Sequence, residues 1–260
     1  MPKIFEKWHE CARNRFNFNE NPDKFWTSSI HHTRFCDSQI KSEIALKLQK
    51  FHNKDEDKYL IFPRSSENFS NFLTIGIGKD VIAESQVQRL AENLTIPLKF
   101  YGADPNFMDN FEIFSKIGTY FPLAISGSDG FFGASVLFRK KYQQMSVFHV
   151  ELNYFLKKLL KISKIDFLWM DGEYSEYTIF PYFAEKSEKN FERNGIIVCQ
   201  INMEVHKPKS ADHKIMFKNF IQKIIEDRKF ALLKQIGAAG HYRLFLFNFG
   251  QKYCVEKFVE

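Results

Sequence analysis

The stretch Phe72-Leu-Thr-Ile-Gly-Ile-Gly-Lys-Asp80 constrains this chain more than any other. Its start (Phe72, Leu73, Ile75) has the aromatic and branched character of a strand, and it runs into Gly76 and Gly78. Behind them Ala83, Val87, Leu90, Ala91 and Leu94 fall on one face of a 3.6-residue repeat. Strand, glycine turn and helix together form the first unit of a nucleotide-binding α/β fold. Glycine lets the backbone turn sharply there and lets a ligand come close. A tight strand-to-helix connection with no ligand uses the same residues, so the rest of the chain has to decide. Asp80 is placed to cap the helix, whose free N–H groups give that end a partial positive charge.

From about residue 70 strands and helices alternate, the pattern of a parallel, doubly wound sheet. Leu98–Ala103 reads as the second strand, ending at Asp104-Pro105, with proline suited to the first turn of a helix. Tyr120–Ser126 reads as the third, followed by the turn Gly127-Ser-Asp129-Gly130, and Ala134–Phe138 as a short extra strand. Leu152, Phe155, Leu156 and Leu159 mark a helix, and Ile165–Met170 is apolar enough for a strand buried on both faces. Gly195–Val205 is the fifth strand, and Phe217, Phe220, Ile221 and Ile224 form a helical stripe. Ala231–Ile236 and Tyr242–Phe249 flank Gly237-Ala-Ala-Gly240, which predicts an antiparallel hairpin. A parallel sheet closed by an antiparallel strand is similar to the class I methyltransferases, which use S-adenosylmethionine, more than to nicotinamide-binding folds.

Residues 1–58 read as a helical cap or flank on a main domain of residues 59–260. Trp8, Cys11 and Phe16 predict one helix; Ile40, Ile44, Leu48 and Phe51 predict a second running through Phe51. Asp55-Glu-Asp57 reads as a turn and Tyr59–Phe62 as a short strand stopped by Pro63. With 44% hydrophobic residues, 30 of them Phe, the chain can bury a large core. No apolar run is long enough to cross a bilayer, and the first residues lack the apolar segment of a secretory leader, so the expectation is a soluble, cytoplasmic protein. The net charge of +6 is spread among acids without a basic block, which argues for a solvated surface and against nucleic acid as a partner. Cys11, Cys36, Cys199 and Cys254 lie far apart with no CxxC pair, which argues against a thiolate zinc site; Cys199 reads as a small core residue. Asn68-Phe-Ser70 and Asn93-Leu-Thr95 match the glycosylation sequon and, without a leader, read as chance.

In open α/β sheets ligands bind outside the carboxyl ends of the strands. The polar groups expected there are Gly76–Asp80, Asp104, Ser126–Asp129, Asp171 and Glu173, Glu204 and His206, and the loop before His241. Asp104 follows the strand after the glycine turn, where a carboxylate accepts hydrogen bonds from ribose hydroxyls; its alternative is to cap the next helix. Asp171-Gly-Glu173 is a carboxylate pair at the end of a buried strand. It can hold an amino group, orient an acceptor hydroxyl or act as general base, or it can simply cap the following turn. Glu204 and His206, two apart on a strand, share a face with Asn202, and His206 titrates near neutrality. Asp171, Glu173, Glu204, His206 and His241 could also meet as oxygen and imidazole ligands, but no spacing enforces a metal and none is expected.

Four blocks resemble the FkbM-type methyltransferase domain, in a version found in animals: Leu73-Thr-Ile-Gly-Ile-Gly-Lys-Asp80, Phe100-Tyr-Gly-Ala-Asp-Pro105, Ile165-Asp-Phe-Leu-Trp-Met-Asp-Gly-Glu-Tyr-Ser-Glu176 and Cys199-Gln-Ile-Asn-Met-Glu-Val-His206. The resemblance implies a class I methyltransferase fold with sheet order 3-2-1-4-5-7-6, S-adenosylmethionine as donor, and transfer to a hydroxyl of a small molecule or sugar. It implies donor binding at Gly76, Gly78 and Asp104 and matches Asp171 and Glu173 to the family's acid pair; Asp80 can stand in for the missing donor-side acid, and strand-end position adds Asp129 on the donor side and His206, with Asp171, as candidate general base. The chain departs from the family pattern at Thr74, where an acid is usual, at Trp169, where lysine is common, and at Tyr174, where glycine follows the second acid. Those departures motivate a rival reading, a binding module on an inherited methyltransferase fold. A nicotinamide-linked oxidoreductase is disfavoured because Val81 stands where the dinucleotide fingerprint wants a third small residue.

Overall fold

In a computed structural model, which describes residues 2–44, 48–54, 56–65, 69–138 and 141–260, two helices open the chain, α1 (Lys3–Arg15) and α2 (Pro22–Ile44). Ile4, Phe5, Trp8 and Ala12 make the buried stripe of α1. The Trp8 indole donates to the carbonyl of Leu232 at 3.1 Å, and Thr33 of α2 donates to the Gln235 side chain at 2.8 Å. These helices therefore pack on the last hairpin of the chain. The spacing that predicts helix through Phe51 misleads: α2 ends at Ile44, and β1 (Leu48–His52) pairs antiparallel with β2 (Asp57–Ile61). Phe51 packs near Phe62 rather than continuing a helical stripe. The boundary expected between residues 58 and 59 falls inside this hairpin. Its attachment is unusual. Ile61 donates to the Gln200 side chain at 2.7 Å and Gln200 donates back to the Ile61 carbonyl at 2.8 Å, and Asn202 brackets Tyr59 in the same way.

The main unit follows as β3 (Ser70–Ile75), α3 (Ile82–Asn93), β4 (Leu98–Ala103), α4 (Phe107–Phe114) and β5 (Thr119–Phe121). The expected third strand then splits. Thr119–Phe121 joins the large sheet, while β6 (Ala124–Ser126) starts a second sheet with β7 (Gly130–Phe138) and β8 (Lys141–Glu151). Strand β8, whose middle is polar, is absent from the sequence reading. The chain continues as α5 (Leu152–Tyr154, prolonged by a wide turn over Phe155–Leu160), β9 (Lys164–Met170), α6 (Glu176–Ile179), β10 (Ile197–Val205), α7 (Ala211–Glu226), β11 (Phe230–Ala238), β12 (His241–Asn248) and α8 (Lys252–Phe258).

The large sheet has the order β11-β12-β10-β9-β3-β4-β5. Numbered along the chain and read from β5, its seven strands run 3-2-1-4-5-7-6, the class I methyltransferase order. Strands β10, β9, β3, β4 and β5 are parallel neighbours, and β12 is antiparallel to β10. The turn between β11 and β12 uses Ala239 (φ 51°) and Gly240 (φ 86°), both left-handed, as a tight hairpin needs. Ile165–Met170 is buried throughout, and Phe72 stacks with Phe100 and meets Trp169 edge-on at 4.7 Å, so these aromatics fill the sheet core.

The cysteines differ from expectation. Cys199 is buried but bonded to Cys254, tying β10 to α8, and Cys11 is bonded to Cys36, tying α1 to α2. Among the described residues no helix is long and apolar enough to cross a membrane.

Candidate functional site

Parallel strands deliver their carboxyl ends to one edge, and there the predicted glycines and acids meet. The amide of Gly76 donates to the Ala103 carbonyl and that of Asp171 to the Ile75 carbonyl, so β3, β4 and β9 end at one level. Gly76 (φ 77°) and Gly78 (φ 61°) are both left-handed, a conformation that glycine adopts without strain. Asp104 anchors this turn: one carboxylate oxygen accepts from the amides of Ile77 (2.8 Å) and Gly78 (3.3 Å), the other from Asn106 (2.8 Å). Burial pushes its pKa up and these N–H donors pull it back. A cleft opens beside it, lined by Gly76, Gly78, Asp104, Ile125, His149, Asp171 and Glu173 among others. Ile125 and His149 come from the second sheet, which roofs the cleft.

Two predicted donor-side acids stand apart from it. Asp80 accepts from the amide of Ile82 in the first turn of α3 and from Lys54 in the β1–β2 turn, both at 2.9 Å. Asp129 accepts from the Glu151 amide at 2.8 Å and braces the end of β8. Neither lines the cleft.

Asp171, Glu173 and His206 do converge. His206 Nε2 lies 3.4 Å from Glu173 and 3.7 Å from Asp171, while Nδ1 faces the buried carboxylate of Glu176 at 3.0 Å. Burial alone would lower the histidine pKa, but these three acids outweigh it and push it up to about 9. At neutral pH His206 is therefore an imidazolium. Asp171 is raised well above the ordinary carboxylate range by burial and by Glu204, against the pull of His206. A third of its side chain is reachable from the cleft, yet its Oδ1 is sealed and accepts no hydrogen bond. Glu204 faces Arg243 at 3.4 Å and His241 at 3.9 Å. The ligand atoms of Asp171, Glu173 and His206 lie within 4.8 Å of one another, as do those of Glu204, His206 and His241. The proton on His206 already supplies positive charge at the point the two sets share.

Three charged residues carry more weight than the sequence suggested. Glu176, read as a helix-turn acid, is the main partner of His206. Lys58 is buried, pairs with Glu56 at 2.8 Å, and is held charged by Glu56, Glu84 and Asp171. Glu84 is buried and accepts from Thr74 at 3.1 Å, so the position expected to carry an acid reaches one through α3. The one signal in the sequence was alternation: Lys58 shares the inward face of β2 with Leu60.

No curated protein sequence matches this chain. The solved structure of a protein from Sulfolobus solfataricus, provisionally described as a type 11 methyltransferase, is similar at 10% identity and TM-score 0.31, over 70% of this chain and 86% of that one, a score too low to argue from. A family model described as the methyltransferase FkbM domain matches residues 15–253. That match spans nearly the whole chain and includes every strand of the large sheet, so the chain belongs to the FkbM methyltransferase family.

Proposed function

We propose that the protein transfers a methyl group from S-adenosylmethionine to a hydroxyl oxygen on a small molecule or sugar. One observation carries the reading: a single cleft runs from the Gly76–Gly78 turn and Asp104 to Asp171 and Glu173. The residues present fit such a donor. No atom lies within 4 Å of where a Cβ on Gly78 would be, so the turn leaves room for a ligand. Asp104 retains acceptor capacity for a ribose hydroxyl, since a carboxylate has about four lone-pair directions. A third of the Asp171 side chain is open at the cleft, where a carboxylate can accept from a ligand amino group or acceptor hydroxyl while its Oδ1 faces His206.

The bound donor would supply an electrophilic methyl on a sulfonium. This chain's residues do the rest. Asp104 and the glycine turn hold the donor. Asp171, with its raised pKa, is the better base for an acceptor proton. His206 holds its proton to about pH 9, so it orients Asp171 and Glu173 rather than accepting. Placing two substrates in line supplies much of the rate.

Calorimetric titration with S-adenosylmethionine, S-adenosylhomocysteine and NADH tests the reading. Micromolar binding of the first two alone is expected; silence with both overturns it. A binding module is the second reading, favoured by the ion pairing that already occupies the site's acids. Donor binding with no labelled methyl transfer to any of a panel of hydroxyl compounds decides for it.

A further inference from the structure

We infer that this chain matures in an oxidising secretory lumen and carries an N-linked glycan on Asn93. The inference does not rest on the proposed reaction. Its first support is that all four cysteines are paired, with Cys36, Cys199 and Cys254 fully buried. Such bonds form and persist in oxidising compartments and are rare where glutathione keeps thiols reduced. None of the four lines the cleft, so neither bridge reads as part of a redox active site.

The second support is the sequon itself. Asn93 is the last residue of α3; Asn93, Leu94 and Thr95 are all exposed, and the chain turns at Thr95 (φ 57°). An accessible Asn-x-Thr at a surface turn is what glycan transfer needs. Leu94 is 45% exposed, an apolar side chain in water that a neighbouring glycan would cover. Position also favours it. Helix α3 starts at the cleft edge and its 12 residues run about 18 Å back along the sheet, so a glycan at Asn93 stands on the far rim and leaves the cleft open. In the other sequon, Asn68 lies outside the described residues and Ser70 is sealed within β3. The paired cysteines reverse the weighing that makes both sequons chance.

The test is mass spectrometry of the chain expressed from its complete natural reading frame in eukaryotic cells. The protein is alkylated under denaturing conditions before reduction, then digested with and without peptide-N-glycosidase in heavy-oxygen water. We expect all four cysteines to escape alkylation until reduction, and the Asn93 peptide to show the heavy-oxygen conversion to Asp. Asn93→Gln should remove that glycan and Thr95→Ala should do the same while keeping Asn93. Cysteines alkylated without reduction, an Asn93 peptide found only unmodified, or a glycan confined to Asn68 would each overturn the inference.

Discussion

A Cβ built on Gly76 would fall onto the backbone carbonyl oxygen of Asp171. The glycine turn and the acid end of β9 are thus in direct backbone contact, and neither can shift without the other.

The two glycines of the turn should therefore respond differently. Gly76→Ala must push β3 and β9 apart and should cost more than about 3 kcal/mol, by overpacking plus left-handed strain. Gly78→Ala meets no atom and should cost only about 1 kcal/mol, the strain of a non-glycine residue at φ 61°. Urea unfolding of both variants checks the order. Equal losses would mean that the contact with Asp171 does not control the turn.

Asp104→Ala leaves the amides of Ile77, Gly78 and Asn106 without their acceptor. We expect donor affinity to fall about 10- to 100-fold, matching the roughly 1–3 kcal/mol lost when buried polar groups go unpaired, with a similar loss of stability. Calorimetry and thermal unfolding read the two effects separately. Unchanged binding would remove Asp104 from the donor site.

His206 sets a pH dependence whose sign is fixed. Its folded pKa, about 9, lies above the ordinary 6.5, so the proton stabilises the fold. That contribution is complete below pH 6.5 and is lost as pH rises through 9, amounting to at most about 3 kcal/mol. The raised pKa of Asp171 acts in the same direction at lower pH. Stability should fall from pH 6.5 to 9 in the native chain and much less in His206→Gln. Parallel curves for the two proteins would contradict the assignment.

Tyr174 sits at φ 83° where the family has glycine, directly after Glu173 at φ 50°. Its ring lies 5.0 Å from that of His206 and beneath the Lys209 ammonium at 3.4 Å. Tyr174→Ala loses those ring contacts and keeps the strain; Tyr174→Gly loses the contacts and releases the strain. The glycine variant should be the more stable of the two by about 1 kcal/mol, measured by denaturant unfolding. If alanine is the more stable, the left-handed conformation at 174 carries no strain.

The elements that were legible in the sequence are those where local pattern and tertiary demand agree. The strand–glycine–helix unit from Ser70 to Asn93, the strand at Leu98–Ala103 and the final hairpin follow from periodicity and turn chemistry. Leu48–His52 reads as helix because its apolar spacing continues that of α2, and only pairing with β2 makes it a strand. Strand β8 leaves no mark in the sequence because a hairpin standing off the main sheet needs little apolar alternation. At the site, the sequence places acids at strand ends but does not say which of them face the cleft. Asp104, Asp171 and Glu173 line the cleft while Asp80 and Asp129 tie loops together, a distinction set by side-chain direction rather than spacing. Lys58 and Glu84 are far apart in the chain, and only the fold reveals their shared burial.

The grip of Gln200 and Asn202 on β2 has a consequence for the charge of the site. Two amide side chains do the work of a neighbouring strand there, and Phe51, Leu60 and Ile61 are buried beneath them, so the hairpin is held without extending any ladder of the large sheet. Lys58 rides on that hairpin and is a counter-ion for Glu84 and Asp171. Glu56, the nearest partner of Lys58, rides on the same hairpin, so the hairpin presents a paired charge rather than a lone cation to Glu84 and Asp171, and what those acids feel depends on which member of the pair lies nearer.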